Sequence, residues 1–120
     1  MRVLLVDDTE DSRSVVRAML ERLGNDVLEA STGKEAIQVA AKENPDLVLM
    51  DLSMPEVDGF LATAALRTIR SFRQLPVIAI TAYPKELSRD KALEAGCDGY
   101  LEKPLDLDAL SALLKGFEKV

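Results

Sequence analysis

Histidine is absent from this chain, and its absence removes several kinds of catalyst at once. Without an imidazole, the chain contains no Ser-His-Asp or Cys-His catalytic group. For the same reason it is by itself neither a histidine kinase nor a histidine phosphocarrier. Cys97 is the only cysteine, which excludes an internal disulfide and a metal site built from a cysteine cluster.

Long apolar runs and basic clusters are also missing. No apolar stretch approaches the length that crosses a bilayer, so we expect no membrane span. The first residues run directly into a predicted strand, which predicts no signal peptide and a cytoplasmic protein. The net charge is −6 and no long basic run occurs, so we expect no direct binding to nucleic acid.

The residues that are present describe an ordinary globular chain. It has 120 residues, of which 48% are hydrophobic and 30% charged. This length is near the commonest size of a single domain and is sufficient to bury a full core. We therefore predict one domain over residues 1–120.

Short apolar runs alternate with segments of helical periodicity along the whole chain. The predicted strands centre on residues 3–6, 27–28, 47–50, 77–80 and 100–101. Gly24, Asn44-Pro45 and Gly96 are expected to end the first, second and fourth helices, the fourth running from about Lys85 to Ala95. Thr32 with Glu35 fits a capping box that opens the second helix. Five uniformly apolar strands separated by five helices predict an α/β fold, a parallel sheet covered on both faces. Periodicity leaves the strand order open.

Polar residues cluster where these strands end. They are Asp7-Asp8, Asp51, Thr81, Tyr100 and Lys103-Pro104, each expected at or just past the C-terminal end of an apolar run. Those ends meet along one edge of a parallel α/β sheet, where ligands bind. We therefore expect three carboxylates, a hydroxyl and an ammonium to share one pocket.

This set of groups suits a hard divalent cation and phosphoryl chemistry. Mg²⁺ prefers oxygen ligands, and Asp8 and Asp51 can supply carboxylates to it, or to another divalent cation such as Mn²⁺. Asp7 can act directly or through a bound water. Taken singly, each residue has a structural explanation, such as a helix cap, a solvated turn or a surface lysine.

The same residues carry a resemblance to a known family. The chain resembles a response-regulator receiver domain over essentially its whole length. The matching pieces are Asp7-Asp8, Met50-Asp51, Met54-Pro55, Asp58-Gly59, Thr81-Ala82, the stretch from Ala95 to Tyr100, and Lys103-Pro104. The resemblance implies a flavodoxin-like, doubly wound sheet of order 2-1-3-4-5. It also implies phosphorylation of Asp51, metal ligation by the Ser53 backbone carbonyl, and a cis Lys103–Pro104 bond.

The resemblance further implies a role in two-component signalling. Asp51 would receive the phosphoryl group from a histidine kinase or a histidine phosphotransfer protein, with Lys103 and Thr81 contacting phosphoryl oxygens. Such a domain is a phosphoacceptor with self-phosphorylation and autodephosphorylation chemistry, not an ordinary enzyme.

We predict that Thr81 and Tyr100 carry the signal to the face made by the fourth helix, fifth strand and fifth helix. Residues near that face would then meet a protein partner, namely Tyr83, Lys85, Arg89 and Lys91.

Three other functions share part of this pattern. A flavodoxin-like nucleotide binder needs a loop that cradles phosphate after the first strand, but here that loop is acidic. A phosphatase of the haloacid-dehalogenase type needs a second aspartate two positions after Asp51, where Ser53 stands. A degenerate receiver acting as an unphosphorylated interaction module stays open, as does the question whether the chain acts alone or within a larger protein.

Overall fold

The computed structural model of this chain describes residues 1–52, 58–82, 90 and 92–118. Strands and helices alternate along the described chain, as the apolar pattern predicts. The strands are β1 (Arg2–Val6), β2 (Asp26–Ala30), β3 (Leu47–Asp51), β4 (Val77–Thr81) and β5 (Gly99–Glu102). The helices are α1 (Glu10–Arg22), α2 (Gly33–Glu43), α3 (Asp58–Thr68), the helical residues 92–95, which we label α4, and α5 (Leu107–Lys115). A short 3-10 helix, Arg70–Phe72, follows α3.

All five strands are parallel and form one sheet in the order β2-β1-β3-β4-β5. This is the order that the resemblance implied. Val6 of β1 pairs with Met50 of β3, so the residues that follow these two positions lie side by side at the C-terminal edge of the sheet. The strand order reverses between β1 and β3, and open α/β sheets form their ligand crevice at such a point.

Side-chain alternation divides the core into two layers, one on each face of the sheet. On one face, α2, α3 and α4 cover alternate strand residues such as Leu4, Met50 and Ala79. On the other, α1 and α5 cover the residues between them, including Leu5 and Ile80. The three central strands are buried on both faces, which explains why their sequences are apolar without alternation.

The helix ends follow the predicted signals, with one difference. Gly24 and Gly96 have φ values of 88° and 106°, and Asn44 caps α2 in the left-handed region at φ 49°. At the start of α2, the Thr32 hydroxyl accepts the Glu35 backbone N–H at 3.0 Å, as predicted. The difference lies in the Glu35 carboxylate, which accepts a hydrogen bond from the Ser31 hydroxyl at 3.1 Å. The Glu35 side chain therefore bonds to the residue before the N-cap residue, Thr32.

Two further sequence predictions concern the backbone and the membrane. The Lys103–Pro104 peptide bond is cis, as the resemblance implied. Within the described part of the chain, no helix combines the length and the apolar character that crossing a bilayer requires.

Candidate functional site

The three predicted carboxylates meet at the C-terminal edge of the sheet. Asp7 and Asp8 follow β1, and Asp51 is the last residue of β3. One carboxylate oxygen from each lies within 4.8 Å of the others. Asp7 and Asp51 are buried, at 1% and 3% exposure, whereas Asp8 is exposed. The arrangement follows from the pairing of β1 with β3 and forms a set of oxygen donors open to solvent on the Asp8 side.

Local hydrogen bonds fix the acidic turn after β1. The Asp7 backbone N–H donates to the Ala30 carbonyl at 3.0 Å, which continues the strand pairing by one residue. The Asp7 carboxylate accepts the Thr9 backbone N–H at 2.9 Å. Arg13 donates to the Asp7 carbonyl at 2.7 Å and pairs with Glu29 at 3.0 Å. The turn is thus held by both α1 and β2, and the Asp7 side chain has a defined direction.

Lys103 brings one positive charge into this group. Its Nζ lies 2.9 Å from Asp51 Oδ2 and 3.8 Å from Asp7 Oδ2. The side chain is 22% exposed, and its ammonium also donates to the Ser12 hydroxyl at 3.3 Å. The predicted convergence of Asp7, Asp51 and Lys103 is therefore present, although 52 residues separate Asp51 from Lys103 in the chain.

The charges of this acid cluster, which comprises Asp7, Asp8 and Asp51, do not balance among the described residues. Three carboxylates face the ammonium of Lys103. Two like charges about 4 Å apart repel by roughly 4 kcal/mol at an effective dielectric near 20. A divalent cation would offset that repulsion, and carboxylate oxygens at these separations suit Mg²⁺. The donor set therefore fits the predicted metal.

Thr81 and Tyr100 lie on the same face of the sheet. Thr81 is the last residue of β4 and is fully buried. Tyr100 is half-buried and packs against the core layer beneath α3 and α4. The expectation that Tyr100 ends its strand was wrong. It is the second residue of β5 and pairs with Ala79, because β5 already begins at Gly99. Tyr100 thus lies two positions short of the strand end, where Glu102 pairs with Thr81.

Several predicted residues lie outside the described residues. They are Ser53, whose carbonyl was expected to bind the metal, and Tyr83, Lys85, Arg89 and Lys91 of the expected partner face.

Beside Lys103 a groove of about 480 Å³ runs between α1 and the segment after β5. Ala82, Pro104 and three apolar residues of α1 line it, and one of these, Val15, is 62% exposed. The groove adjoins the acid cluster, because Lys103 lines the groove and contacts Asp51.

Sequence reasoning missed two residues of the site, Ser12 and Arg13. Both lie in the first turns of α1 and bond to groups at the acidic turn or to Lys103. A local signal was available for Arg13, which lies only six residues after Asp7, the residue whose carbonyl it contacts. The partner of Ser12, by contrast, is 91 residues away and could not be read from spacing.

Comparison with known proteins identifies the family. The family model described as the response regulator receiver domain matches residues 3–115. The chain belongs to this family. Receiver domains are signalling domains of two-component systems, so the resemblance seen in the sequence is confirmed.

Individual relatives agree in length and fold. This receiver domain is 31% identical over 115 residues to the polar-differentiation response regulator DivK of Brucella ovis, covering 96% of this chain and 94% of that protein. An uncharacterised 14.6 kDa protein of Leptolyngbya boryana is 42% identical over 106 residues, 88% of this chain and 81% of that one.

A solved structure gives a comparison in three dimensions. The receiver domain of the sensor histidine kinase PA1611 from Pseudomonas aeruginosa PAO1 superposes with a TM-score of 0.89 at 34% identity, covering 97% of this chain and 95% of that chain. That structure was solved with a magnesium ion coordinated in its active-site cleft.

Proposed function

We propose that the whole chain acts as one receiver domain that accepts a phosphoryl group on Asp51 in a reaction requiring Mg²⁺. The observation that carries this proposal is the pairing of a buried carboxylate, Asp51, with the Lys103 ammonium at 2.9 Å inside a cluster of three acids. A cluster with excess negative charge repels phosphate unless cations neutralise it. The lysine and a bound metal provide that neutralisation.

Each residue has a distinct part in this reaction. A carboxylate oxygen of Asp51 forms the new bond to phosphorus, while the bond to the donor breaks and the leaving group keeps its electron pair. Asp7, Asp8 and Asp51 would hold Mg²⁺, which when bound neutralises charge on the phosphoryl oxygens. Lys103 and the Thr81 hydroxyl bind those oxygens as well. Attack by water later releases inorganic phosphate and restores the Asp51 carboxylate.

The phosphoryl donor is a histidine kinase or a histidine phosphotransfer protein acting in the cytoplasm. This chain contains no histidine, so the phosphohistidine must come from a partner. The groove beside Lys103 supports access by such a protein, because it places exposed apolar surface of α1 next to the acceptor.

The output surface is the face formed by α4, β5 and α5. The shared sheet face of Thr81 and Tyr100 supports this assignment. A shift of Thr81 towards a phosphoryl oxygen changes the packing next to Tyr100, and the phosphoryl group biases the two arrangements by its differential contacts. NMR shifts with and without beryllofluoride, a phosphoryl mimic, test this proposal. Shifts confined to the acid cluster would contradict it.

Incubation with acetyl phosphate tests the acceptor role. Intact mass should rise by one phosphoryl group in the presence of Mg²⁺ and stay unchanged in excess chelator. Asp51→Asn should give no mass increase, because an amide does not form the acyl phosphate. Asp46→Asn, an acid at the opposite edge of the sheet, serves as the matched control and should be phosphorylated like the parent. A parent protein that binds Mg²⁺ but is never phosphorylated would indicate an unphosphorylated interaction module.

A further inference from the structure

Lys103 reaches the acceptor site on a long and flexible side chain, and its position needs an anchor. A lysine ammonium sits on a four-carbon stem with many rotamers and carries three N–H donors. Its position near Asp51 is set by the groups that accept those hydrogens. Besides Asp51 Oδ2 at 2.9 Å and Asp7 Oδ2 at 3.8 Å, the described residues include one more acceptor, the Ser12 hydroxyl at 3.3 Å.

We propose that Ser12 is a positioning residue that holds the Lys103 ammonium at the phosphoryl-acceptor site. The proposal rests on the proposed function of Asp51 and assigns a role to a residue of α1 outside the acid cluster. Ser12 touches neither the metal-binding carboxylates nor, by this proposal, the phosphorus atom. It acts through Lys103.

The neutrality of the hydroxyl is the physical reason for this role. The attraction between Lys103 and its two carboxylate partners depends on the charge state of the site. A divalent cation shares the charge of Asp7 and Asp51 and repels the ammonium, and phosphorylation moves the negative charge from the Asp51 carboxylate to the phosphoryl oxygens. The Ser12 hydroxyl keeps the same hydrogen-bonding capacity throughout. It therefore holds the ammonium in place at the steps where the carboxylates attract it least.

The anchor is itself rigid. Ser12 is the third residue of α1, a helix fixed to the core by Val16 and Leu20, which are buried at 4% and 0% exposure. The next residue, Arg13, ties the same turn to the Asp7 carbonyl and to Glu29. A hydroxyl on this turn therefore has a fixed distance to the acidic turn, which a solvent-exposed acceptor would lack.

The central experiment compares Ser12→Ala with the parent and with Ser14→Ala, an exposed serine on the same helix. Alanine is the best helix former, so Ser12→Ala should fold and melt like the parent. Its rate of phosphorylation by acetyl phosphate should fall by about fivefold to tenfold, as expected for the loss of one hydrogen bond to a charged group. Mg²⁺ affinity should be unchanged. Ser12→Thr, which retains a hydroxyl, should recover most of the rate, and Ser14→Ala should match the parent.

A double variant separates positioning from any direct role. In a Lys103→Met background, adding Ser12→Ala should change the slow phosphorylation rate by less than about twofold, because Ser12 then has no ammonium to hold. If Ser12→Ala slows the reaction as much without Lys103 as with it, the proposal is overturned. A parental rate in Ser12→Ala itself would overturn it equally.

NMR of the Lys103 ammonium gives a readout that does not depend on phosphorylation. In ¹⁵N-labelled protein, Ser12→Ala should speed the exchange of the Lys103 Nζ hydrogens with water, while Ser14→Ala should leave it unchanged. Unchanged exchange in Ser12→Ala would contradict the anchoring contact. If the parent is never phosphorylated, the function proposed for Asp51 fails, and the exchange rate still decides whether Ser12 holds Lys103.

Discussion

Two of the charged clusters among the described residues, one around Arg67 and one formed by the three acids, are built in opposite ways. Around Arg67, the guanidinium makes five hydrogen bonds, two to the Gly96 carbonyl and one each to Phe72, Leu75 and Asp98. A guanidinium has five N–H donors, so this group is satisfied by the chain alone. The acid cluster instead sets three carboxylates against the Lys103 ammonium among the described residues.

The difference distinguishes a cluster that the chain satisfies by itself from the candidate functional site. The Arg67 cluster joins the end of α3 to the 3-10 helix and to the start of β5, and its single charge is matched by the Asp98 carboxylate at 2.8 Å. The Arg67 cluster therefore needs no ligand or ion to balance its charge. The acid cluster has excess negative charge among the described residues, which a stable fold tolerates when a cation balances it. A sequence scan for charged residues would treat the two alike.

The largest effect is expected from Arg67→Ala. The side chain is only 18% exposed, and its removal takes one donor from Asp98 and from the carbonyls of Phe72, Leu75 and Gly96. Asp98 and the Phe72 carbonyl each keep a backbone N–H partner, whereas the Leu75 and Gly96 carbonyls lose their Arg67 contacts. We expect a loss of about 2–3 kcal/mol in the free energy of unfolding and a fall of roughly 10 °C in melting temperature. Thermal and urea unfolding measure both quantities.

Two variants sharpen that experiment. Arg73→Ala removes an exposed arginine nearby and should change stability by less than about 0.5 kcal/mol. Arg67→Lys keeps the charge but has three donors in place of five, so it should fall between the parent and Arg67→Ala. If Arg67→Ala melts like Arg73→Ala, the cluster does not stabilise the fold.

The acid cluster should respond in the opposite direction. Asp8→Ala removes one of three repelling carboxylates, so in chelator it should melt at or above the parent temperature. Mg²⁺ at about ten times its dissociation constant should stabilise the parent by roughly 1.4 kcal/mol and leave Asp8→Ala unchanged. Asp11→Ala, which removes an exposed acid of α1, should keep the full response. A Mg²⁺-dependent melting shift that survives in Asp8→Ala would refute the metal assignment.

The smallest effect concerns Cys97, beside the Arg67 cluster. Burial raises the pKa of this thiol above its ordinary value of 9.0, although the hydrogen bond to Thr63 opposes the shift. The folded state then holds the proton more tightly than the unfolded state. The resulting stability is fully present below pH 9 and is lost as the pH rises through the folded-state pKa. Urea unfolding from pH 8 to 10.5 should therefore show a steeper alkaline loss in the parent than in Cys97→Ala. Equal slopes would contradict the prediction.

Local signals in the sequence account for most of the elements. Uniform apolar runs predicted the central strands, and Gly24, Asn44 and Gly96 marked helix ends that the structure confirms. The strand order came from family resemblance, because periodicity says which faces are buried but not which strands are neighbours.

In the candidate site, too, local signals could be predicted from the sequence and long-range contacts could not. The acids that follow β1 and β3 could be predicted to converge, because parallel strands end at a common edge. The Arg67 cluster could not be predicted, since most of its acceptors are backbone carbonyls, which every residue has. The prediction that Tyr100 ends its strand was wrong for a related reason, since the extension of β5 to Glu102 depends on pairing with β4 and not on the local apolar pattern.

The strand order also bears on how this chain avoids aggregation. Its three most apolar strands, β1, β3 and β4, combine high β-propensity with little charge, which is the composition of segments that stack into fibrils. In the folded sheet each of them has a neighbour on both sides. The two outer strands, which each have a neighbouring strand on one side only, carry the acidic residues Asp26, Glu29 and Glu102. Charge at a sheet edge hinders the addition of further strands, so the fibril-prone segments become available only when the domain unfolds.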